Sequence, residues 1–427
     1  MEPLKFGGIY KDYLWGGNKI KEIFNIKTEV SPVAESWVLS THPDGMSIID
    51  GGIYDGMSIK EYIEKNPSVL GTNCKETQLP ILVKFIDAKD NLSVQVHPDN
   101  EMAKREENQN GKTEMWYVVE AEEDAEIIFG VRDNTTKDML EKAIKENTVE
   151  NLLGKSKSKK GNVYFVEAGT IHAIGAGNLI AEIQQNSNVT YRLYDYDRRD
   201  KNGNPRELHI EKGVRASNVN KSAMRKIPVC SDGTKMLGSC DYFQVKEILL
   251  SGNAKEFVCD EKSYNALIQT SGESIVEYKN KEMKINAGEC VFIPAGFGKY
   301  NIKGNGIILM ATNKPRYFAG VDLGGTNIAV AIVDENGVMY GKSEKKTNLP
   351  RQYNEIFDDV AACVKEATDN SGLSIDDIEA IGIGLLGAIN IKTDIVEYME
   401  KATGKKVYAS FDNDAGIIGA ALLWKNN

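Results

Sequence analysis

Gly161-Asn-Val-Tyr-Phe-Val-Glu-Ala-Gly-Thr-Ile-His172 lies over Gly288-Glu-Cys-Val-Phe-Ile-Pro-Ala-Gly-Phe-Gly-Lys299 without a gap. Glycine, phenylalanine, alanine and glycine coincide. Each copy reads as a β-branched and aromatic strand, an Ala-Gly turn and a polar residue carried by the next strand. The first copy ends on His172, a potential metal ligand. The second ends on Lys299, whose protonated amine has no lone pair to offer. The repeat predicts two similar β-sandwich units, of which only the first is equipped for a metal.

The surrounding chain reads the same way. Short strand-like runs at 179–184, 242–250 and 290–294 are bounded by Gly, Asn, Asp and Pro. Two interruptions look helical, 100–109 and 135–153. The second opens on the cap candidates Thr135 and Thr136 and places Met139, Leu140, Ile144 and Leu152 at helical spacing. Length and composition fit two or three globular domains: 427 residues, 41% hydrophobic, 27% charged. No apolar run is long enough for a membrane span, and the start has no basic segment followed by an apolar core, so the expected location is cytoplasmic. A net charge of −10 argues against a general binder of nucleic acid or anionic membrane. The six cysteines form no CxxC pair, which suits a reduced compartment.

Only four histidines are present, His42, His97, His172 and His209. In Leu92-Ser-Val-Gln-Val-His-Pro98, alternation puts Gln95 and His97 on one strand face and Val94 and Val96 on the other. In Lys112-Thr-Glu-Met-Trp-Tyr-Val118, Lys112, Glu114 and Trp116 share a face. With His172 after its turn, Gln95, His97, Glu114 and His172 make an N2O2 set suited to zinc or a similar divalent ion. A buried histidine is more often a hydrogen-bonded core residue than a ligand, and His42 and His209 are read as structural or surface residues.

These motifs, with Tyr191-Arg-Leu-Tyr-Asp195, Ala34-Glu-Ser-Trp37 and Pro80-Ile-Leu-Val-Lys-Phe-Ile-Asp87, resemble type I mannose-6-phosphate isomerase in its short bacterial form, over residues 1–313. The resemblance implies a pair of cupin (jelly-roll) sandwiches with helical insertions. It also implies one zinc per chain at Gln95, His97, Glu114 and His172, and interconversion of mannose 6-phosphate and fructose 6-phosphate through an enediolate. By the same resemblance Arg192 is the catalytic arginine and Lys84 and Lys112 line the substrate pocket. Glu182 is a candidate for proton handling or for orienting its neighbours. Longer relatives carry an acidic residue shortly before the arginine, where this chain has Asn186, Ser187 and Asn188, so the proton-transfer base stays open.

Beyond residue 316 the character changes. Asp322-Leu-Gly-Gly-Thr-Asn327 reads as a glycine turn between two strands, followed by a helical pattern at 353–368 and a strand at 380–385. A Gly-Gly turn brings backbone amides to a phosphate or is simply a tight turn. With Ala380-Ile-Gly-Ile-Gly-Leu-Leu-Gly387 and Phe411-Asp-Asn-Asp-Ala415, it resembles the amino-terminal lobe of ROK-type sugar kinases, over 317–423. That resemblance implies a small α/β actin-like (ribonuclease H-like) lobe. It puts Asp322, Gly324, Gly325 and Thr326 at the phosphates and Asp414 as base toward a sugar hydroxyl. The family's sugar-contacting stretch is shortened and no second lobe follows, so the lobe is not expected to be a kinase alone and suits self-association or stabilisation.

The expected architecture is therefore mainly β: a catalytic cupin domain at 1–235, a metal-free cupin domain at 236–315 and the truncated kinase lobe at 316–427. The expected partner is a small-molecule sugar phosphate, with no nucleic acid and no membrane. The rival readings are a bifunctional isomerase and hexose kinase, and a non-catalytic sugar-phosphate sensor.

Overall fold

The structure, a computed structural model, describes residues 1–199, 202–220, 227–385, 392–410 and 416–421. It is mainly β and forms two compact units, one of Met1–Met224 with Ile248–Asn313, the other of Arg225–Glu247 with Lys314–Asn427. No helix among the described residues is long and apolar enough to cross a membrane.

In the first unit, one sandwich is built from two antiparallel sheets. The six-stranded sheet runs Ile9–Lys11, Glu35–Leu39, Ile81–Ala88, Asn178–Gln185, Glu114–Ala121, Val163–Val166. The five-stranded sheet runs Tyr191–Tyr194, Val94–Val96, His172–Ile174, Glu126–Val131, Leu153–Lys157. Their inner faces share an apolar cluster of Trp116, Ile180 and Tyr164 from one sheet with Ile127 and Ile174 from the other. Val94 and Val96 point the opposite way, into a cluster with Leu140, Ile144 and Leu193. The helical insertion thus covers the outer face of the five-stranded sheet and leaves its inner face for polar residues.

That insertion is shorter than its spacing predicts. The helix is Lys137–Lys145, capped by Thr136, whose Oγ1 accepts from the Met139 amide at 3.2 Å. Asn147 then takes a left-handed backbone, φ 59°, and a 3₁₀ turn follows at Val149–Leu152. Met139, counted among the apolar face, is exposed; Leu140, Ala143 and Ile144 carry the contact.

The second sandwich holds Cys290–Ile293, Asn265–Tyr278 and Gly298–Thr312 as neighbours, with the N-terminal Leu4–Lys5 added at one edge. The repeat is visible in both copies as strand, turn, strand. The paired glycines Gly161 and Gly288, and Gly169 and Gly296, all adopt positive φ, which the lack of a Cβ permits. The ends diverge as their chemistry requires: His172 is fully buried, whereas the Lys299 ammonium is exposed and pairs with Glu256 at 2.9 Å.

In the second unit, five strands run Met339–Lys346, Asn327–Asp334, Tyr317–Leu323, Ile378–Leu385, Lys406–Ser410. The first three are antiparallel and the last two join in parallel, with the helix Tyr353–Ser371 packed alongside. Gly382 meets the helix Gly416–Ala421 so closely that a Cβ would lie 1.5 Å from the Ala420 carbonyl oxygen.

Both sandwiches share the first unit, and Arg225–Glu247 groups with the C-terminal lobe. The reason is packing. Cys230 and Met236 are buried in one core with Tyr317, Ile332, Tyr340 and Val360. Tyr340 donates to Asp334 at 3.0 Å and accepts from the Gln244 amide at 3.2 Å. Met236→Ala should therefore destabilise this lobe by ~2–5 kcal/mol, read as lost hydrogen-exchange protection in strand Tyr317–Leu323; unchanged protection would make the segment peripheral.

Candidate metal centre and cavity

Strand register assembles the site. On the five-stranded sheet, Arg192 pairs across from Gln95, and Gln95 from His172, so three strands put these residues in one row. On the six-stranded sheet, Trp37 faces Lys84, Lys84 faces Glu182 and Glu182 faces Trp116. Glu114 lies two residues before Trp116 on the same face, as alternation requires.

His97, Glu114 and His172 present donor atoms that all lie within 4.8 Å of one another, and all three are buried. His97 Nε2 is 3.4 Å from Glu114 Oε2, and His172 Nε2 is 3.4 Å from Glu114 Oε1. His97 Nδ1 donates to the Val189 carbonyl and His172 Nδ1 to the Thr170 carbonyl, each at 2.8 Å. Those bonds fix the tautomers and leave both Nε2 lone pairs facing the carboxylate. Glu114 Oε1 is buried without a hydrogen-bond partner. An orphaned carboxylate oxygen between two inward lone pairs fits a divalent cation. Gln95 sits at the rim, its Nε2 3.3 Å from His172 Nε2.

Electrostatics prepare the same atoms. Burial and the Lys112 ammonium push His97 down to about 4, and burial lowers His172, so both rings are neutral near pH 7. Burial alone would raise Glu114, but the Lys112 ammonium beside it outweighs burial and holds the carboxyl well below its ordinary value. Lys112 donates to Glu114 and, at 3.1 Å, to His97 Nε2. A cation on these donors therefore competes with the Lys112 ammonium for the same lone pairs.

The row of polar residues opens into a cavity of about 320 Å³, lined among others by Glu35, Lys84, Gln95, Lys112, Glu182, Arg192 and Arg206. A larger hollow of about 700 Å³ beside Thr41, Asp44 and Gln109 contains none of the ligand set. Lys84 is 7% exposed and sits 3.2 Å from Glu182 Oε1 and 3.4 Å from Glu35 Oε1. Burial would lower its pKa, yet Glu182, Glu35 and Glu114 raise it. Trp116 Nε1 donates to Glu182 Oε2 at 2.8 Å, and Trp37 Nε1 to Glu35 Oε2 at 2.7 Å. Burial, with repulsion from Arg206, lowers the Arg192 guanidinium.

Sequence comparison agrees with this geometry. Residues 4–140 match the model of the phosphomannose isomerase type I catalytic domain, 233–313 the mannose-6-phosphate isomerase cupin domain, and 318–407 the ROK family. Mannose-6-phosphate isomerase ManA of Bacillus subtilis is 35% identical over 308 residues, 71% of this chain and 96% of that protein. The chain belongs to the mannose-6-phosphate isomerase family. A crystal structure of the mannose 6-phosphate isomerase from Bacillus subtilis matches with a TM-score of 0.68 at 32% identity, covering 73% of this chain and 99% of that one. A glucokinase of Thermotoga maritima is 28% identical over 115 residues, 23% of this chain and 35% of that enzyme.

Within this isomerase-family unit, the structure brings together Lys84, Gln95, His97, Lys112, Glu114, His172, Glu182 and Arg192. His42 is buried and caps a 3₁₀ turn, and His209 holds the Arg192 backbone from both sides, accepting from its amide at 3.2 Å and donating its own to the carbonyl at 2.8 Å. Trp116 shares the face of Lys112 and Glu114 as alternation predicts, Trp37 and Asp195 fall inside the motifs quoted from sequence without a donor or bracing role, and Arg206 carries no sequence signal. In the C-terminal lobe the Asp322–Thr326 turn closes on itself, the Gly324 amide donating to Asn327 at 2.9 Å and the Thr347 hydroxyl to the Gly324 carbonyl at 2.7 Å. Gly325 and Thr326 are exposed. Asp414 lies outside the described residues.

Lys84→Ala leaves Glu35 and Glu182 buried without their shared cation and should cost ~3–5 kcal/mol of stability in chemical denaturation. A loss below ~1 kcal/mol would mean that water already solvates these carboxylates.

Proposed function

We propose that the first unit is a zinc-dependent isomerase that interconverts mannose 6-phosphate and fructose 6-phosphate. The observation that carries this reading is the convergence of His97, Glu114 and His172 directly behind Gln95 and Lys112, which line a cavity with Lys84, Arg192 and Arg206, in a chain of this family. Gln95, His97, Glu114 and His172 would hold one zinc ion per chain. When bound, the ion lowers the cost of negative charge on the substrate oxygens.

The protein residues supply the rest. Moving a carbonyl between C1 and C2 takes a proton from carbon and leaves an enediolate. Lys84 and Lys112, anchored by carboxylates, offer ammonium protons to its oxygens without having to be ordered first. Arg192, in register with Gln95, offers a planar fork. Glu182, held by Trp116 and Lys84, keeps the lysines in place or takes the proton, and Glu182→Gln separates these roles: lost kcat at constant KM marks proton transfer, raised KM marks positioning.

Turnover of mannose 6-phosphate by the purified chain should be abolished by a chelator and restored by zinc. Absence of turnover in a folded, zinc-loaded sample would overturn the reading in favour of a sugar-phosphate sensor. His97→Ala and His172→Ala should each lose the metal in elemental analysis. Arg192→Ala should keep the metal and lose kcat by about 100- to 1000-fold.

The C-terminal lobe is read as a stabilising or self-associating appendage rather than a kinase in its own right. Phosphoryl transfer needs nucleotide and acceptor held together, and the matched glucokinase is covered over 35% of its length. The second reading, hexose kinase activity, is favoured by the ROK match. It requires ATP consumption with glucose, mannose or fructose that is lost in Asp414→Asn.

A further inference from the structure

The charges around the cavity are unevenly distributed. At the metal side, Lys84 and Lys112 are matched by Glu35, Glu182 and Glu114. At the other side stand Arg192, Arg198 and Arg206; Asp195, 5% exposed, binds Arg198 and Arg206, and the exposed Glu207 acts on Arg192 through charge alone. Asp195 Oδ2 accepts from Arg206 Nε at 2.7 Å, and Oδ1 accepts from Nη2 of both Arg206 and Arg198. Arg198 is further occupied by the Asp195 and Asn91 carbonyls and does not line the cavity. Arg206 Nη1 has no protein partner among the described residues. Arg192 commits Nη1 to the Glu207 carbonyl at 2.8 Å, while its Nε is buried without any partner.

Three guanidiniums against Asp195 and the exposed Glu207 leave a positive excess at this side of the cavity, and unused N–H donors sit on both arginines that reach it. A phosphate monoester carries two negative charges and offers three terminal oxygens, and guanidinium forks match it bidentately. A neutral sugar hydroxyl would not offset that charge. We propose that Arg206 is the specificity-determining residue for the substrate's phosphate, and that Asp195 is the positioning residue that braces it. The proposal rests on the isomerase reading and assigns the end of the substrate remote from the reacting carbons. Bracing by Asp195 fixes the Arg206 fork before substrate arrives, so less side-chain freedom is lost on binding. Binding energy from a non-reacting phosphate then becomes available to hold the sugar carbons in place for proton transfer.

The test has two arms. In the kinetic arm, Arg206→Ala should raise KM for mannose 6-phosphate and the inhibition constant of inorganic phosphate, each by about 10- to 100-fold. The preference for mannose 6-phosphate over mannose should shrink by a similar factor, with zinc content unchanged. Arg206→Lys should recover part of the loss, and Asp195→Asn should raise KM with a smaller effect on kcat. In the binding arm, calorimetry titrates inorganic phosphate into chelator-treated wild-type and Arg206→Ala protein. Phosphate binding lost in Arg206→Ala supports the site even in a chain that proves not to isomerise, so the two readings fail separately. Unchanged phosphate affinity in Arg206→Ala, or no phosphate binding to the wild type, overturns the assignment.

Discussion

Burial of charge between two facing sheets is the constraint on which the first unit depends. Lys84, Lys112, Glu114 and Glu182 are each no more than 7% exposed, in a sandwich whose interior is otherwise aromatic and aliphatic. A pair of unit charges about 4 Å apart attracts by ~4 kcal/mol at an effective dielectric of 20, comparable to the several kcal/mol needed to desolvate each ion. The network therefore holds only when every member has a partner. Indole donors and backbone carbonyls meet that requirement: Trp116 and Trp37 bond the carboxylates, and Val189 and Thr170 bond the imidazoles. Trp37 is itself fixed by close packing, since a Cβ on Gly45 would come within 2.3 Å of its ring. A one-residue slip in these strands would exchange the charged row for side chains such as Val83, Phe85, Met115 and Ile183.

The parts of this arrangement that sequence reveals are those set by local period. Alternation placed Gln95 and His97 opposite Val94 and Val96, and the repeat located both turns and told His172 from Lys299. The Thr136 cap was legible as a side-chain oxygen before a helical run. What period cannot express is where a strand's neighbour comes from. Arg206 reaches the cavity from an irregular stretch and its side chain is held there by Asp195, eleven residues earlier, and nothing in the local spacing marks that contact. Asn147 stops a helix whose apolar spacing continues through it, because a left-handed residue interrupts the backbone bonds whatever the side chains favour.

The assignment of Arg225–Glu247 to the C-terminal unit has the same origin. Read alone, the segment looks like the entry to the second sandwich. In the structure Cys230 and Met236 fill space beside Tyr317 and Tyr340, and burial pushes both phenols well above their ordinary range. Buried hydroxyls need partners, and Ser239 and Gln244 supply them at 3.2 Å each. The lobe that begins at Lys314 therefore draws part of its core and of its polar satisfaction from residues about eighty positions earlier.

Placement of the carboxylates also bears on which residues can change roles. Glu35, Glu114 and Glu182 gather around two lysines, and among the described residues Asp195 is the buried acid that binds Arg198 and Arg206. No group among the described residues bonds the Arg192 Nε, so the cavity is not electrically closed at that side. Instead one side sets three carboxylates against two ammoniums, a negative excess that a cation offsets, while the other keeps a positive excess that an anion from outside can offset. A sugar that bears an anionic group at one end and a carbonyl at the other meets both conditions, which a neutral sugar meets only at the carbonyl.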